Sequence, residues 1–283
     1  MRPTPTKATL ATLAPQFDAF LIDQFGVLLD GVGCYPYAPA ALSHLAAMGK
    51  DILLLSNSGK RAAPNEARLT RLGFARDSYR GVLSSGEAAY AEIAGRIGVD
   101  IAEGAAVWVH SRDDDLSSIE GLALTQVEEA GHAELLIIAG SRGDEFTLEQ
   151  YREWLTPAAQ RGVPAYCTNP DIKMLTAMGQ SFGAGTIAHL YEQIGGQVEW
   201  VGKPFPLIYR VAHDRLGGID PARVLCIGDS PAHDIKGGQA AGFATALVRT
   251  GLHADLSEEA LLEHFKASAT PNYIIPSFSF ARP

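Results

Sequence analysis

The sequence predicts an α/β protein built on a doubly wound parallel sheet, and two observations carry this prediction. Short apolar runs, such as residues 20–22 and 51–56, are typical of strands that are buried on both faces of a sheet. These runs alternate with longer segments that have helical spacing, a pattern typical of parallel strands joined by helical crossovers. With 283 residues, 47 % of them hydrophobic, the chain can build one large core or two domains.

The first set of elements lies before residue 87. Strand 20–22 ends at Asp23, and Gly26 then permits a tight turn and a close approach of the backbone to a ligand. Ser84 and Glu87 have the spacing of a capping box, which predicts that a helix follows them. The other elements predicted here are strands over 51–56 and 82–83 and helices over 38–49 and 61–72.

A second α/β set follows, and the last third then returns to the first pattern. We predict a first domain from residues 1–86 and 180–283 and an inserted α/β domain over 87–179. The inserted domain contains strands over 106–109, 134–139 and 163–167 and a helix over 147–161. The last third contains helices over 184–194, 206–216, 235–241 and 256–267 and strands over 198–201, 223–228 and 244–248.

Composition excludes several classes of partner. A net charge of -9 and a pI near 5.4 argue against nucleic acid and against an anionic membrane surface. No apolar run approaches the length that crosses a bilayer, and the N-terminus lacks the apolar core of a signal peptide. The cysteines Cys34, Cys167 and Cys226 are odd in number and lack metal-ligand spacing, so we expect reduced thiols and a cytoplasmic location.

Acidic side chains end two of the predicted strands. Asp23 follows the first buried strand, Asp229 follows strand 223–228, and Asp234 lies five residues further on. If these strands are neighbours, the carboxylates form a cluster whose mutual repulsion calls for a hard cation. Mg²⁺ bound by carboxylates, water and a substrate phosphate fits this description. The sequence therefore predicts a magnesium site at the carboxyl edge of the sheet.

Two further residues suit a phosphorylated substrate. Ser56 ends its strand with a hydroxyl group and is followed by free backbone N–H groups, an arrangement that binds anions. Lys203 lies before a proline and close to the start of a helix, where it supplies a fixed positive charge. A nucleophilic carboxylate, a metal, a hydroxyl and a lysine together suit phosphoryl transfer through an aspartyl-phosphate.

These motifs resemble those of the haloacid dehalogenase (HAD) superfamily. Motif one falls on residues 23–27, motif two on Ser56 and Asn57, motif three on Lys203, and motif four on residues 228–234. The large insertion between motifs two and three is similar to the α/β cap of the nitrophenyl-phosphatase, nucleotidase and pyridoxal-phosphatase class. The resemblance implies a Rossmann-like core, a cap that closes over it, and a homodimer formed through the cap.

The resemblance also assigns roles to residues. It implies that Asp23 is the nucleophile and that Lys203 offsets its repulsion from the phosphate. The implied phosphate-binding residues are Ser56, Asn57 and Lys203, and the implied metal ligands are Asp23, the backbone carbonyl of Phe25, Asp229 and Asp234. Loops of the cap set specificity in this class, so His110 and Arg112, which follow a cap strand, are candidates for substrate contacts.

Phe25 departs from the family pattern, because phosphatases of the family have a second Asp there that acts as general acid and base. Such catalysis contributes on the order of 10²–10⁴-fold in rate. One alternative is a phosphatase with another proton donor; His233 is a candidate, although an exposed histidine at a helix start is the better interpretation. Others are dehalogenase-like or phosphonatase-like chemistry, or a catalytically impaired protein that binds phosphorylated metabolites. The retained metal acids argue against dehalogenation.

The sequence thus predicts a Mg²⁺-dependent HAD-type phosphatase acting on a small phosphorylated metabolite, such as a sugar phosphate. The impaired binding protein of the same fold is the alternative.

Overall fold

The computed structural model describes residues 4–176 and 179–281. The strands are β1 (Thr6–Lys7), β2 (Ala19–Asp23), β3 (Asp51–Ser56), β4 (Gly81–Ser84), β5 (Ala105–His110), β6 (Leu124–Gln126), β7 (Leu135–Ile138), β8 (Pro164–Cys167), β9 (Lys173–Thr176), β10 (Gly179–Phe182), β11 (Gln197–Trp200), β12 (Val224–Gly228), β13 (Ala244–Val248) and β14 (Tyr273–Ile275). The α-helices are α1 (Leu10–Leu13), α2 (Ala38–Ala47), α3 (Ala62–Arg71), α4 (Ser85–Arg96), α5 (Leu148–Gln160), α6 (Ala184–Gln193), α7 (Pro206–Arg215), α8 (Lys236–Ala240) and α9 (Glu258–Ala267).

The described residues divide into two compact units. The first unit contains the residues up to Ser56, Ala63–Leu83, and the described residues from Lys203 onward. The second unit contains Asn57–Ala62 and Ser84–Gly202. No helix within the described ranges is long and apolar enough to cross a membrane.

A seven-stranded sheet organises the first unit, in the order β1-β14-β13-β12-β2-β3-β4. β2 pairs in parallel with β12 on one side and with β3 on the other, and its residues from Ala19 to Ile22 are buried. Strands that are buried on both faces lack polar alternation, which is why this part of the sequence is continuously apolar. The neighbouring pair β2 and β12 brings together the two strands that are followed by acids. The α/β fold class is thereby confirmed.

A five-stranded parallel sheet organises the second unit, in the order β11-β8-β7-β5-β6. Helices α5 and α6 pack on it around a core that includes Leu136, Tyr151 and Tyr191. β9 and β10 form a separate antiparallel hairpin. The second unit therefore has its own sheet and its own hydrophobic core.

The division of the chain differs from the predicted boundary at residue 180. β11 pairs with β8, with Trp200 beside Cys167, and α6 contributes Ile187 to the core of the second unit. Residues 184–202 thus belong to the second unit because their strand completes its sheet. The composition of the chain does not change near residue 202, so nothing in the sequence indicated this boundary. The other edge of the inserted segment, at Ser84, lies close to the predicted residue 86.

One of the two interactions predicted at the start of α4 is present. The Ser84 side chain accepts a hydrogen bond from the backbone N–H of Glu87, as an N-cap does. The Glu87 carboxylate does not complete a capping box, because it pairs with the guanidinium of Arg61 at 2.6 Å. A stronger charged partner has replaced the reciprocal bond to the cap backbone.

Candidate active site

Three carboxylates converge at the carboxyl edge of the first unit's sheet. One oxygen from each of Asp23, Asp229 and Asp234 lies within 4.8 Å of the other two. Asp23 ends β2 and Asp229 follows β12, so the parallel pairing of these strands places their ends side by side. A single turn of π-helix over Pro231–Ile235 then returns Asp234 to the same point. The two strands that lead into acids are therefore neighbours, as the predicted carboxylate cluster requires.

Lys203 lies inside this carboxylate cluster. Its ammonium Nζ is 2.6 Å from Asp23 Oδ1 and 2.7 Å from Asp234 Oδ1. The lysine is only 3 % exposed, so these interactions are made away from bulk water. The second oxygen of Asp234 accepts a hydrogen bond from the backbone N–H of Ser230 at 3.1 Å. Both oxygens of this buried acid thus have partners, as a buried carboxylate requires.

Two glycines make the room in which the carboxylates meet. A Cβ atom on Gly26 would lie 2.1 Å from Asp229 Oδ2, and the positive φ of 78° at Gly26 is one that other residues rarely adopt. A Cβ on Gly228 would lie 2.1 Å from Asp234 Cγ. Gly26 and Gly228 therefore permit a contact distance that any side chain would prevent.

The charges of the cluster favour a bound cation. Burial, helped by the negative charges of Asp234 and Asp229 and opposed by the positive charge of Lys203, raises the pKa of Asp23 to about 8. Burial also opposes the charge on Lys203, but Asp23 and Asp234 raise the pKa of this lysine overall. The cluster contains three carboxylates and one ammonium, so these four groups carry a net negative charge when all are ionised. Oxygen donors with excess negative charge are what Mg²⁺ and Ca²⁺ bind, and the residues present fit such an ion.

The backbone carbonyl of Phe25 and its ring have different surroundings. No described residue donates a hydrogen bond to the Phe25 carbonyl, which is the atom expected to bind the metal. The residue is 48 % exposed, and the centroid of its ring lies 5.0 Å from the Arg68 guanidinium carbon. The side chain at this position therefore offers an apolar face and no exchangeable proton.

The predicted phosphate-binding residues fall on both sides of the division between the units. Ser56 is buried at the end of β3 in the first unit. Asn57 begins the next segment, and its amide donates a hydrogen bond of 3.0 Å to Asp171 Oδ1 within the second unit. The contact of either residue with phosphate stays a prediction.

The candidate specificity residues are engaged inside the second unit. His110 is buried, its Nε2 lies 2.8 Å from the Tyr151 hydroxyl, and burial lowers the pKa of this histidine to about 4. The Arg112 guanidinium forms a two-point ion pair with Asp144 at 2.6 and 2.9 Å. These contacts hold the loop that follows β5, and substrate contact by His110 or Arg112 stays a prediction.

His233, the candidate proton donor, has no hydrogen bond from its imidazole to a described residue. Its backbone N–H donates to Ser230 Oγ at 3.3 Å, and its carbonyl accepts from the Tyr209 hydroxyl at 3.2 Å. Both interactions belong to the backbone of the π-helical turn. The structure thus gives His233 the position of a histidine at a helix start.

Sequence reasoning missed two groups beside the cluster. The first is Arg68 on α3, whose Nη2 donates to Gln24 Oε1 at 2.6 Å. The second is the loop after β13, where Thr250 Oγ1 donates to the Gly26 carbonyl at 2.6 Å and Gly251 packs against Asp229. The rule that ligand sites lie at the carboxyl ends of parallel strands could have identified the loop, because β13 neighbours β12. No sequence signal identifies Arg68.

Two family models match the chain. The model described as haloacid dehalogenase-like hydrolase matches residues 20–125, and the HAD-hydrolase-like model matches residues 200–281. The first match contains Asp23, and the second contains Lys203, Asp229 and Asp234.

Relatives over nearly the whole length agree with these models. Chronophin of Rattus norvegicus is 30 % identical, with 96 % of this chain and 89 % of that protein covered. The p-nitrophenyl phosphatase of Archaeoglobus fulgidus is 28 % identical with a TM-score of 0.77, covering 93 % of this chain and 97 % of the other. The glycerol phosphate phosphatase of Mycobacterium tuberculosis, in complex with calcium, is 25 % identical with a TM-score of 0.71, covering 94 % and 75 %. The chain belongs to the haloacid dehalogenase-like hydrolase family.

Proposed function

We propose that this hydrolase is a Mg²⁺-dependent phosphatase that acts on a small phosphorylated metabolite. The observation that carries the proposal is the convergence of Asp23, Asp229 and Asp234 within 4.8 Å around the ammonium of Lys203. Similarity to phosphatases named for p-nitrophenyl and glycerol phosphate supports a small ester as substrate. A sugar phosphate is of this size.

Asp23 performs the covalent chemistry in this proposal. One carboxylate oxygen of Asp23 attacks phosphorus, an O–P bond forms, and the bond from phosphorus to the leaving oxygen breaks with its electron pair on that oxygen. Water then attacks the phosphorus of the aspartyl-phosphate, which releases inorganic phosphate and restores the carboxylate. Lys203 lies 2.6 Å from Asp23 and lowers the electrostatic repulsion between the carboxylate and the anionic substrate.

Asp23, Asp229, Asp234 and the Phe25 carbonyl would hold the metal. A divalent ion bound there supplies positive charge that stabilises the negative charge of the phosphoryl group during transfer. The excess of carboxylates over ammonium groups in the cluster supports this assignment. Asp229 and Asp234 are buried, so their charges act in a medium that screens them weakly.

The leaving oxygen needs a proton, and the ring of Phe25 cannot supply one. Water can donate this proton, but at a lower rate than a carboxylic acid. A leaving group that is stable as an anion does not need the proton. We therefore expect turnover that is slow for alkyl phosphates and faster for p-nitrophenyl phosphate. The same observation supports a second candidate function: a protein that binds a phosphorylated metabolite at an assembled site with little or no turnover.

Phosphate release tests the proposal. Wild type, Asp23→Asn and Phe25→Asp are assayed on sugar phosphates, nucleotides, glycerol phosphate and p-nitrophenyl phosphate, each with Mg²⁺ and with EDTA. The proposal expects Mg²⁺-dependent release by the wild type that is lost in Asp23→Asn. The control is Lys266→Met. Lys266 forms an exposed ion pair with Glu263, so this variant should keep wild-type release.

A silent wild type would overturn the phosphatase proposal. If Phe25→Asp then releases phosphate, the site is assembled but lacks its acid, and the binding protein becomes the function. Release by the wild type that is independent of both Mg²⁺ and Asp23 would also contradict the proposal.

The resemblance to the capped class adds a proposal about assembly. We propose a homodimer formed through the inserted domain, for which Ser84–Gly202 supplies an independent sheet and core. Sedimentation equilibrium tests this, since a monomer at assay concentrations would contradict it. The cytoplasmic location stays a prediction.

A further inference from the structure

Arg68 is a half-buried cation that no carboxylate neutralises among the described residues. Its Nη2 donates to two neutral amide oxygens, Gln24 Oε1 at 2.6 Å and Asn65 Oδ1 at 3.3 Å. Its Nε is buried and has no acceptor within the described part of the chain. Three other arginines of the first unit pair with carboxylates: Arg76 with Glu66, Arg80 with Asp51 and Arg223 with Asp18.

The surroundings of Arg68 offer hydrogen-bond donors and positive charge. The Nε2 of Gln24 is a second buried donor without an acceptor among the residues described, and Gln24 is fully buried. Burial and the nearby Arg71 lower the pKa of Arg68, which is the effect of a cation without a counter-charge. Holding a guanidinium in such a place costs free energy unless an anion joins it.

Arg68 also lies beside the turn that carries the nucleophile. Gln24 and Phe25 follow Asp23 directly, and two residues span at most about 7 Å between Cα atoms. The guanidinium carbon of Arg68 lies 5.0 Å from the centroid of the half-exposed Phe25 ring. A half-exposed apolar ring two residues after Asp23 thus lies beside the cationic group.

We infer that Arg68 binds a second anionic group of the substrate, so that the substrate is a small metabolite carrying a phosphoryl group and, across a short carbon chain, a carboxylate or a second phosphate. This inference rests on the proposed phosphatase function. The phosphoryl group contacts Asp23 and Lys203, the carbon chain lies on the Phe25 ring, and the second anion contacts the guanidinium. A guanidinium binds planar carboxylates and phosphates through two parallel hydrogen bonds, which suits this role.

Binding measurements test the inference without turnover. The Asp23→Asn protein lacks the nucleophile, so ligands are not consumed, and calorimetry in Mg²⁺ compares three probes. Glycerol 3-phosphate carries one anionic group, 3-phosphoglycerate adds a carboxylate, and glycerol 1,3-bisphosphate adds a phosphate. We expect one of the last two to bind roughly tenfold to a hundredfold more tightly than glycerol 3-phosphate, the range for a charge-assisted hydrogen bond.

Substitutions at Arg68 assign this preference to the guanidinium. In Arg68→Met the affinity ratio should fall to about one, with glycerol 3-phosphate bound as before, because only the second anion loses its partner. Arg68→Lys should keep part of the ratio, since it retains the charge without the planar fork. Arg71→Met, an exposed cation on the same helix, is the matched control and should keep the ratio.

Equal binding of the three probes by the Asp23→Asn protein would overturn the inference even if Arg68→Met fails to fold. A uniform loss of affinity for all probes in Arg68→Met would also overturn it, since that is the effect of a structural residue. Phosphate release by the wild type is measured separately. Release from 3-phosphoglycerate and glycerol 1,3-bisphosphate that does not depend on Arg68 refutes this inference alone. Arg68-dependent binding without release refutes the phosphatase proposal and supports the anion site.

Discussion

Replacing Lys203 by methionine removes the ammonium that bridges Asp23 and Asp234 and keeps a side chain of similar length. Lys203 and Asp234 are buried, the Asp23 side chain is 13 % exposed, and the two contacts are 2.6 and 2.7 Å long. Removing one partner from a buried ionic group leaves uncompensated charge and costs about 3–5 kcal/mol. A loss of this size lowers the unfolding midpoint of a domain of 150–250 residues by roughly 6–20 °C. We therefore expect Lys203→Met to be strongly destabilised in EDTA.

Thermal unfolding followed by circular dichroism measures this effect in EDTA and in Mg²⁺. Mg²⁺ should raise the midpoint of Lys203→Met more than that of the wild type, because the remaining carboxylates attract a cation more strongly once the ammonium is gone. Lys266→Met is the control, since Lys266 and Glu263 form an exposed pair whose loss changes stability by less than about 1 kcal/mol.

Two results would refute this reasoning. A Lys203→Met midpoint in EDTA within about 2 °C of the wild type would show that the ammonium does not stabilise the cluster. Equal destabilisation of Lys266→Met would show that the loss does not come from burial.

Three further substitutions test other parts of the structure. Gly26→Ala places a Cβ 2.1 Å from Asp229 Oδ2, so we expect Mg²⁺ affinity in calorimetry to fall more than about tenfold, and wild-type affinity would contradict the packing argument. Asp229→Asn should abolish most of the stabilisation by Mg²⁺, which for the wild type reaches about 2.7 kcal/mol at a hundredfold excess over Kd; an unchanged midpoint shift would exclude Asp229 as a ligand. Burial lowers the pKa of His110 from 6.5 to about 4, so the unfolded chain takes up a proton that the folded protein does not, and stability is lost as pH falls through this range. In His110→Gln the loss of unfolding free energy between pH 7 and pH 4, measured in urea, should be smaller by about 3 kcal/mol; equal losses would contradict the assignment.

The central strands could be predicted because a strand that is buried on both faces consists of consecutive apolar residues. β2, β3 and β12 are buried on both faces, so each is a short apolar run, and the acids Asp23 and Asp229 mark the ends of two of them. The order of these runs along the chain then implied that their carboxyl ends share one edge of the sheet. The predicted carboxylate cluster also required the two acid-ending strands to be neighbours, a condition that the sequence left open and that the pairing of β12 with β2 meets.

Features that depend on distant partners could not be predicted in this way. β1, at the edge of the sheet, and its neighbour β14 have only two and three residues, and their pairing joins chain segments more than two hundred residues apart. The assignment of β11 to the second unit depends on its register with β8. Arg68 resembles any other helix-surface arginine in the sequence, and only the fold reveals that its neighbours are amides.

The spread of the carboxylate cluster along the chain has a consequence for folding during synthesis. Asp23 is made early, but its partners Lys203, Asp229 and Asp234 follow only after the whole inserted segment. Until β12 leaves the ribosome, one edge of β2 has no strand to pair with, and contacts between such distant segments form slowly. Ser84–Gly202, with its own sheet and core, can form in that interval. A nascent chain halted before β12 therefore exposes an unpaired apolar strand edge, and such edges promote aggregation.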